Sequence, residues 1–253
     1  MNEIPNIEQR SVEWFAIRCG KVTASKVADV VAKTKSGYAA SRANYMGQLI
    51  AERLTGVPTE GFTNAAMQHG TDTEPEARLA YEFHADVIVE EVGFVPHPTI
   101  EMSGASPDGL VGLDGLIEIK CPNTATHIDT LLGKSVPGKY ISQIQWQLAC
   151  TGRQWCDFVS YDPRMTESMK LFTLRVERDD SRIAELETEV RAFLSELEAK
   201  VHDLRETYDP PVLAIPSTPE VRAQLAASPQ APADFVERVR DFPEIPAFLR
   251  RTA

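Results

Sequence analysis

The chain of 253 residues has no apolar run approaching the roughly 20 residues a membrane-spanning helix requires, and its opening MNEIPNIEQR lacks a signal-peptide core. These absences predict a cytoplasmic protein with no membrane partner. Cysteine is scarce as well: Cys19, Cys121, Cys150 and Cys156 are scattered, with no C-x-x-C pair, which argues against a disulfide framework or a zinc ribbon and for buried or free thiols. The histidines form no ligand pair on one face, so His69, His84 and His97 read as surface or packing residues. No internal repeat is present. Positive charge is short, with 26 Lys and Arg against 37 Asp and Glu and a formal net charge of −11. A duplex-binding surface leans on Lys and Arg, so this deficit counts against a nucleic-acid partner. The distribution is uneven, however. Between Arg18 and Arg53 stand Arg18, Lys21, Lys26, Lys33, Lys35, Arg42 and Arg53 against only Asp29 and Glu52, whereas residues 177–209 are strongly acidic. That pattern fits either a protein that grips DNA with one face and keeps it off the other, or two ordinary charged helix surfaces.

What is present is enough to build a core. With 43% hydrophobic residues the chain is most simply one domain, since domains run to roughly 100–200 residues. Ser25 opens or lies in the first turn of a helix through Val27, Val30 and Val31, and Ser41 is a candidate cap for another that carries Tyr45, Leu49, Ile50 and Leu54 to Gly56. Residues 64–85 read as a long helix that Pro75 kinks or restarts. Strands are expected at about 87–95 and 101–120, a helix near 139–151, strands at 155–161 and 169–176, and a charged helix over 180–207. This order implies an α/β (α+β mixed) fold, a mixed sheet flanked by helices. After Asp209 the composition changes: residues 210–253 hold eight of the seventeen prolines and no long periodic segment, although Phe235 to Arg240 could form a short helix. The expected organisation is a domain over 1–209 and a flexible or docking tail over 210–253.

The most informative stretch is SPDGLVGLDGLIEIKCP, residues 106–122. It reads as a hairpin turning at Asp114-Gly115. Side chains alternate along a strand, so Glu118 and Lys120 share one face while Ile117 and Ile119 take the other. Folding the hairpin brings Asp108 level with Glu118. Two carboxylates at short range repel, and a hard divalent cation such as Mg²⁺ removes the conflict using only one or two carboxylates. With a lysine beside them, this is equipment for metal-assisted phosphodiester hydrolysis.

The same segment resembles the PD-(D/E)xK nuclease signature, and "SPDGL…LIEIKCP" resembles the lambda-exonuclease, or YqaJ-type viral recombinase, family. Four further stretches agree in order: WFAIRCGKVTAS at 14–25, HGTDTEPEARLAYEF at 69–83, YISQIQWQLACTG at 140–152 and YDPRM at 161–165. The resemblance covers about residues 10–205. It implies a restriction-endonuclease-like sheet and a Mg²⁺-dependent 5′-to-3′ exonuclease, with Mn²⁺ able to substitute. Such an enzyme resects one strand of linear duplex DNA and leaves 3′ overhangs for a single-strand annealing protein. It also implies that Asp108 and Glu118 bind the metal, that the backbone carbonyl of Ile119 adds a ligand, and that Lys120 orients the water or stabilises the transition state. Glu74 matches a further acidic residue of the family's metal site, or else pairs with Arg78 one turn on. Arg18, Ser25, Ser106 and Gln143 match the family's pocket for the 5′-phosphate, and a homotrimer ring is implied as well. Two alternatives remain: another PD-(D/E)xK nuclease, endonucleolytic or carrying an iron-sulfur cluster, although no close-set cysteines are present; and a non-catalytic DNA-end-binding subunit.

Overall fold

The computed structural model describes residues 7–59 and 65–209. The proline-rich stretch 210–253, with its expected short helix at Phe235 to Arg240, lies outside them. The chain divides into two compact units, Met1–His202 and Asp203–Ala253. In order along the chain come α1 (Val12–Arg18), β1 (Val22–Thr23), α2 (Ala24–Val31), β2 (Lys33–Thr34), β3 (Gly37–Tyr38), α3 (Ala40–Thr55) and α4 (Ala65–Ala85). They are followed by β4 (Val89–Glu90), β5 (Val95–Pro96), β6 (Ser103–Ala105), β7 (Gly109–Val111), β8 (Gly115–Lys120), α5 (Thr124–Gly133), α6 (Gly138–Thr151), β9 (Trp155–Tyr161), β10 (Leu171–Glu177) and α7 (Asp180–Tyr208).

The central sheet runs β10-β9-β8-β7-β4. β8 and β9 are parallel, joined by a crossover through α5 and α6, and the other neighbours are antiparallel. This is the expected mixed sheet with helices on its faces. β8 is its centre and is covered on both sides. Ile117 and Ile119 pack with Ala77 and Tyr81 of α4, while Leu116 packs with Ile144 and Leu148 of α6. Each such buried aliphatic side chain contributes about 1.5–3 kcal/mol. A strand buried on both faces reads as nearly continuous apolar sequence, which is why GLIEIK stands out for its Glu and Lys.

Several boundaries differ from expectation. Ala39, not Ser41, is the N-cap of α3, and Pro75 sits inside an unbroken α4. The region 101–120 holds a third strand, β6, ahead of the two strands of the expected hairpin. Neither α1 nor α5 was expected; each is started by a polar cap, Ser11 accepting from the Trp14 N–H and Asn123 from the Thr126 N–H. His127 of α5 is buried between Ser160 Oγ and the Met169 carbonyl, each at 2.8 Å, and so fastens that helix to β9.

The hairpin turn is also displaced. A two-residue turn at Asp114-Gly115 would have set Asp108 opposite Cys121. In the observed register Gly109 pairs with Ile117 and Val111 with Gly115, which sets Asp108 level with Glu118. Two glycines decide it. Gly112 takes the left-handed bend at φ 53°, whereas Gly115 is already strand, pressed under Trp155, whose ring a Cβ would meet at 2.2 Å.

The basic and acidic segments do not form opposite faces. They pack together: Lys33 pairs with Glu189 at 2.6 Å, Arg42 with Glu196 at 2.8 Å and Arg53 with Glu198 at 2.6 Å. Those three cations are neutralised in place, whereas Arg18, Lys21 and Lys26 line a cavity at the start of α2.

Candidate active site

The carboxylate of Asp108 caps the edge of the hairpin. β7 begins only at Gly109, so the Ile119 N–H on that edge donates to Asp108 Oδ2 at 2.6 Å. The Ile119 carbonyl leaves the strand on the same edge. Glu118 shares a face with Lys120, as expected, and is fully buried on the α6 side. Its Oε1 accepts from Gln143 Nε2 at 2.6 Å and contacts the Lys120 ammonium, and its Oε2 accepts from Gln147 Nε2 at 2.6 Å. A carboxylate offers about four lone-pair positions, so one on Oε2 is still open.

The charges explain the electrostatics. Burial and the neighbouring Glu118 push the Asp108 carboxyl well above the ordinary carboxylate range, against the pull of Lys120 and the Ile119 N–H. Burial alone would lower Lys120, but Glu118 and Asp108 outweigh it and hold the ammonium above the ordinary lysine value. The thiol of Cys121, next along, is pushed up to about 12, mainly by burial, and is therefore a packing group.

Ile119, Lys120 and Cys121 border a cavity of about 560 Å³ whose lining also includes Arg10, Glu74, Lys139 and Tyr140. Glu74 thus reaches the cavity, and it also makes the pair with Arg78, at 3.1 Å to Oε1, while Arg10 holds its Oε2 at 2.6 Å. Arg78 further donates to the Asp108 carbonyl at 3.3 Å, tying α4 to the Asp108 turn. Among the described residues no three His, Cys, Asp or Glu side chains form a ready metal cage. The donor set fits Mg²⁺ nonetheless. That ion takes hard oxygen ligands, retains several waters and needs only one or two carboxylates, and at Asp108 burial and the neighbouring Glu118 disfavour a negative charge that such a cation would stabilise.

Of the four phosphate-pocket candidates, Arg18 and Ser25 line one small cavity of about 130 Å³ together with Lys21, Thr23 and Lys26 at the start of α2. The Arg18 guanidinium lies 3.5 Å from the centre of the Trp14 ring and makes no ion pair or hydrogen bond among the described residues. Burial lowers it to about 10, which leaves it a cation at neutral pH. Ser106 is one side chain away, its Oγ accepting from Trp14 Nε1 at 3.0 Å. Gln143 stands apart from these, on Glu118. Sequence reasoning missed Arg10, Lys139, Tyr140 and Gln147 as cavity or carboxylate neighbours. Only Gln147 had a legible signal, lying four residues after Gln143 on one helix face.

Known proteins bear on this arrangement. The profile of the YqaJ-like viral recombinase domain matches residues 13–154. Among solved structures the chain is similar to an alkaline exonuclease, LHK-Exo, from Laribacter hongkongensis, at 59% identity and a TM-score of 0.73, covering 78% of this chain and 97% of that one. That exonuclease has also been solved in complex with dAMP. A phage-related exonuclease from Haemophilus somnus 129PT shares the fold, with a TM-score of 0.60 at 15% identity, over 73% of this chain and 96% of that one. Uncharacterized protein R354 of Acanthamoeba polyphaga mimivirus is 29% identical over 175 residues, 63% of this chain and 30% of that protein. The chain therefore spans under a third of the length of this curated relative.

Proposed function

The chain belongs to the YqaJ-like viral recombinase family, and from that premise we propose that it is a divalent-metal-dependent DNA exonuclease. The observation that carries this reading is the register of β7 and β8, which sets Asp108 beside Glu118 and Lys120, the last of which lines an open cavity. Asp108, Glu118 and the Ile119 carbonyl would hold Mg²⁺, or Mn²⁺ in its place, with Glu74 on the cavity wall as a further oxygen donor. When bound, such an ion supplies Lewis-acid activation of water and neutralises charge on the phosphate. The remaining work falls to the chain. Lys120, kept charged by its two carboxylates, orients the attacking water and steadies the phosphate as it gains charge. Gln143 and Gln147 keep Glu118 in one orientation, and Arg78 keeps the Asp108 turn against α4.

The finer reading is 5′-to-3′ resection that leaves 3′ single strands for an annealing protein. It is supported by Arg18, a cation with an open guanidinium stacked on Trp14, and by the path from Trp14 to Ser106, two residues before Asp108. A terminal phosphate held by Arg18 and Ser25 would set the strand end at a fixed distance from the metal site, with Ser106 and Gln143 bridging the two. A homotrimer ring around the duplex is part of the proposal, because a topological link keeps an acidic protein on DNA without strong phosphate contacts. Residues 210–253 are proposed to be a tail dispensable for cleavage. The deciding experiment digests linear duplexes labelled at either 5′ or 3′ end, with Mg²⁺ or EDTA. Early release of the 5′ label with Mg²⁺ alone is expected; early release of the 3′ label would reverse the polarity, and cleavage of closed circles would make the enzyme an endonuclease. Sedimentation and truncation after Asp209 test the ring and the tail.

A further inference from the structure

Arg10 lies outside every motif of the sequence reading, yet its backbone and side chain are both unusual. It is one of three non-glycine residues with positive φ among the described residues, at φ 70°, a conformation that side chains other than glycine adopt only under steric strain. The strain is held in place by Gln9, whose Nε2 donates to the Val92 carbonyl at 2.7 Å and to the Pro107 carbonyl at 2.8 Å. Arg10 is thereby fixed beside the turn that carries Asp108. From there its guanidinium crosses to Glu74 Oε2 at 2.6 Å, half exposed at the wall of the catalytic cavity. Glu74 does not depend on this contact, because Arg78 already holds its other oxygen and is itself anchored on the Asp108 carbonyl and on Glu91. Arg10 is therefore an exchangeable second partner, and a strained backbone that delivers a cation to this one place points to use.

We propose that Arg10 is a partner-switching residue: it neutralises Glu74 while the cavity holds no divalent cation, and when Glu74 is taken up at the metal site it turns to a backbone phosphate of the DNA strand in the cavity. The inference rests on the metal site proposed above. Its chemistry follows from the guanidinium, which pairs with carboxylate and phosphate oxygens through the same planar fork. Two effects of opposite sign follow. Removing Arg10 removes a competitor for Glu74, so divalent cations bind the DNA-free protein more tightly; it also removes a phosphate contact, so duplex DNA binds more weakly.

The test uses the full chain. Arg10→Gly is the suitable variant, because glycine accepts φ 70° without strain. Mn²⁺ affinity is measured by titration calorimetry or electron paramagnetic resonance without DNA. Duplex affinity is measured across salt concentrations in Ca²⁺ under non-cleaving conditions. Lys139→Ala serves as the control, since Lys139 lines the same cavity and makes no ion pair among the described residues. Arg10→Gly should tighten Mn²⁺ binding about two- to fivefold, the worth of one exposed ion pair. It should also flatten the salt dependence of duplex binding by about one counterion. Lys139→Ala should leave Mn²⁺ affinity unchanged. Unchanged Mn²⁺ affinity in Arg10→Gly, an equal gain in Lys139→Ala, or an unchanged salt slope would each overturn the switch. Failure of the underlying metal site shows separately, as Mn²⁺ binding that persists undiminished in Asp108→Asn and Glu118→Gln variants with Arg10 intact.

Discussion

Gln147 lies wholly inside the protein, and its Nε2 donates to Glu118 Oε2 at 2.6 Å while its own amide oxygen has no partner among the described residues. A carboxylate that is completely buried on a central strand is therefore oriented by a helix four turns long. The Gln147→Met variant keeps the volume and removes the donor. It should lose about 1–2 kcal/mol of stability in EDTA, less than the full worth of a charged hydrogen bond because the unpaired oxygen goes too. Denaturant unfolding measures this, and nuclease turnover should fall with it. An unchanged midpoint and turnover would mean that Gln147 only fills space.

Asp108→Asn, Glu118→Gln and Lys120→Ala should each lower Mg²⁺-dependent turnover by about 10² or more, with the fold intact by circular dichroism. Asp108→Asn should in addition stabilise the metal-free protein by about 0.5–2 kcal/mol, as active-site charges commonly oppose stability. Its carboxyl is raised by burial and by Glu118, and the amide removes that repulsion. Near-normal turnover in a folded Lys120→Ala variant would take the lysine out of the mechanism.

The open guanidinium of Arg18 leads to a prediction about DNA ends. Duplexes with a 5′-phosphate should be digested at least about tenfold faster than those with a 5′-hydroxyl, the worth of one charge-assisted hydrogen-bond pair. Arg18→Ala should erase most of the difference and slow the phosphorylated duplex alone. Equal rates on both ends by the unmodified protein would dismiss the pocket whatever the state of the metal site.

The YDPRM segment is held by Asp162. Burial alone would raise its carboxyl, but hydrogen bonds from the Arg164 side chain, the Thr124 side chain and the Arg164 backbone together outweigh burial and hold it at about 2. Arg164 also reaches the Pro122 carbonyl at 3.2 Å, just past the end of β8. Because the folded value lies below the ordinary one, the stabilisation is complete above about pH 4 and is lost as pH falls through about 2. Asp162→Asn should be less stable than the unmodified protein at pH 7 and approach it near pH 2. Denaturation midpoints across that range check this, and a gap that ignores pH would show that the charge plays no part.

Because Glu189, Glu196 and Glu198 neutralise Lys33, Arg42 and Arg53, replacing all three by Gln should free those cations. Non-specific duplex binding should then strengthen and become more steeply dependent on salt. Unaltered binding in filter or anisotropy assays would mean that this face never meets DNA.

Local patterns determined much of this protein. Alternation along GLIEIK placed Glu118 and Lys120 together, turn glycines announced a hairpin, and the spacing of apolar residues marked α3, α6 and α7, because each of these signals acts over a few neighbouring residues. Tertiary structure decided the rest. The register that levels Asp108 with Glu118 depends on Trp155 lying over Gly115, a contact between strands forty residues apart. The burial of Glu118, its two glutamine donors and the reach of Arg10 to Glu74 join elements that no local window contains. Charge was an incomplete signal, since a basic segment and an acidic one look like two surfaces until packing pairs Lys33, Arg42 and Arg53 with Glu189, Glu196 and Glu198.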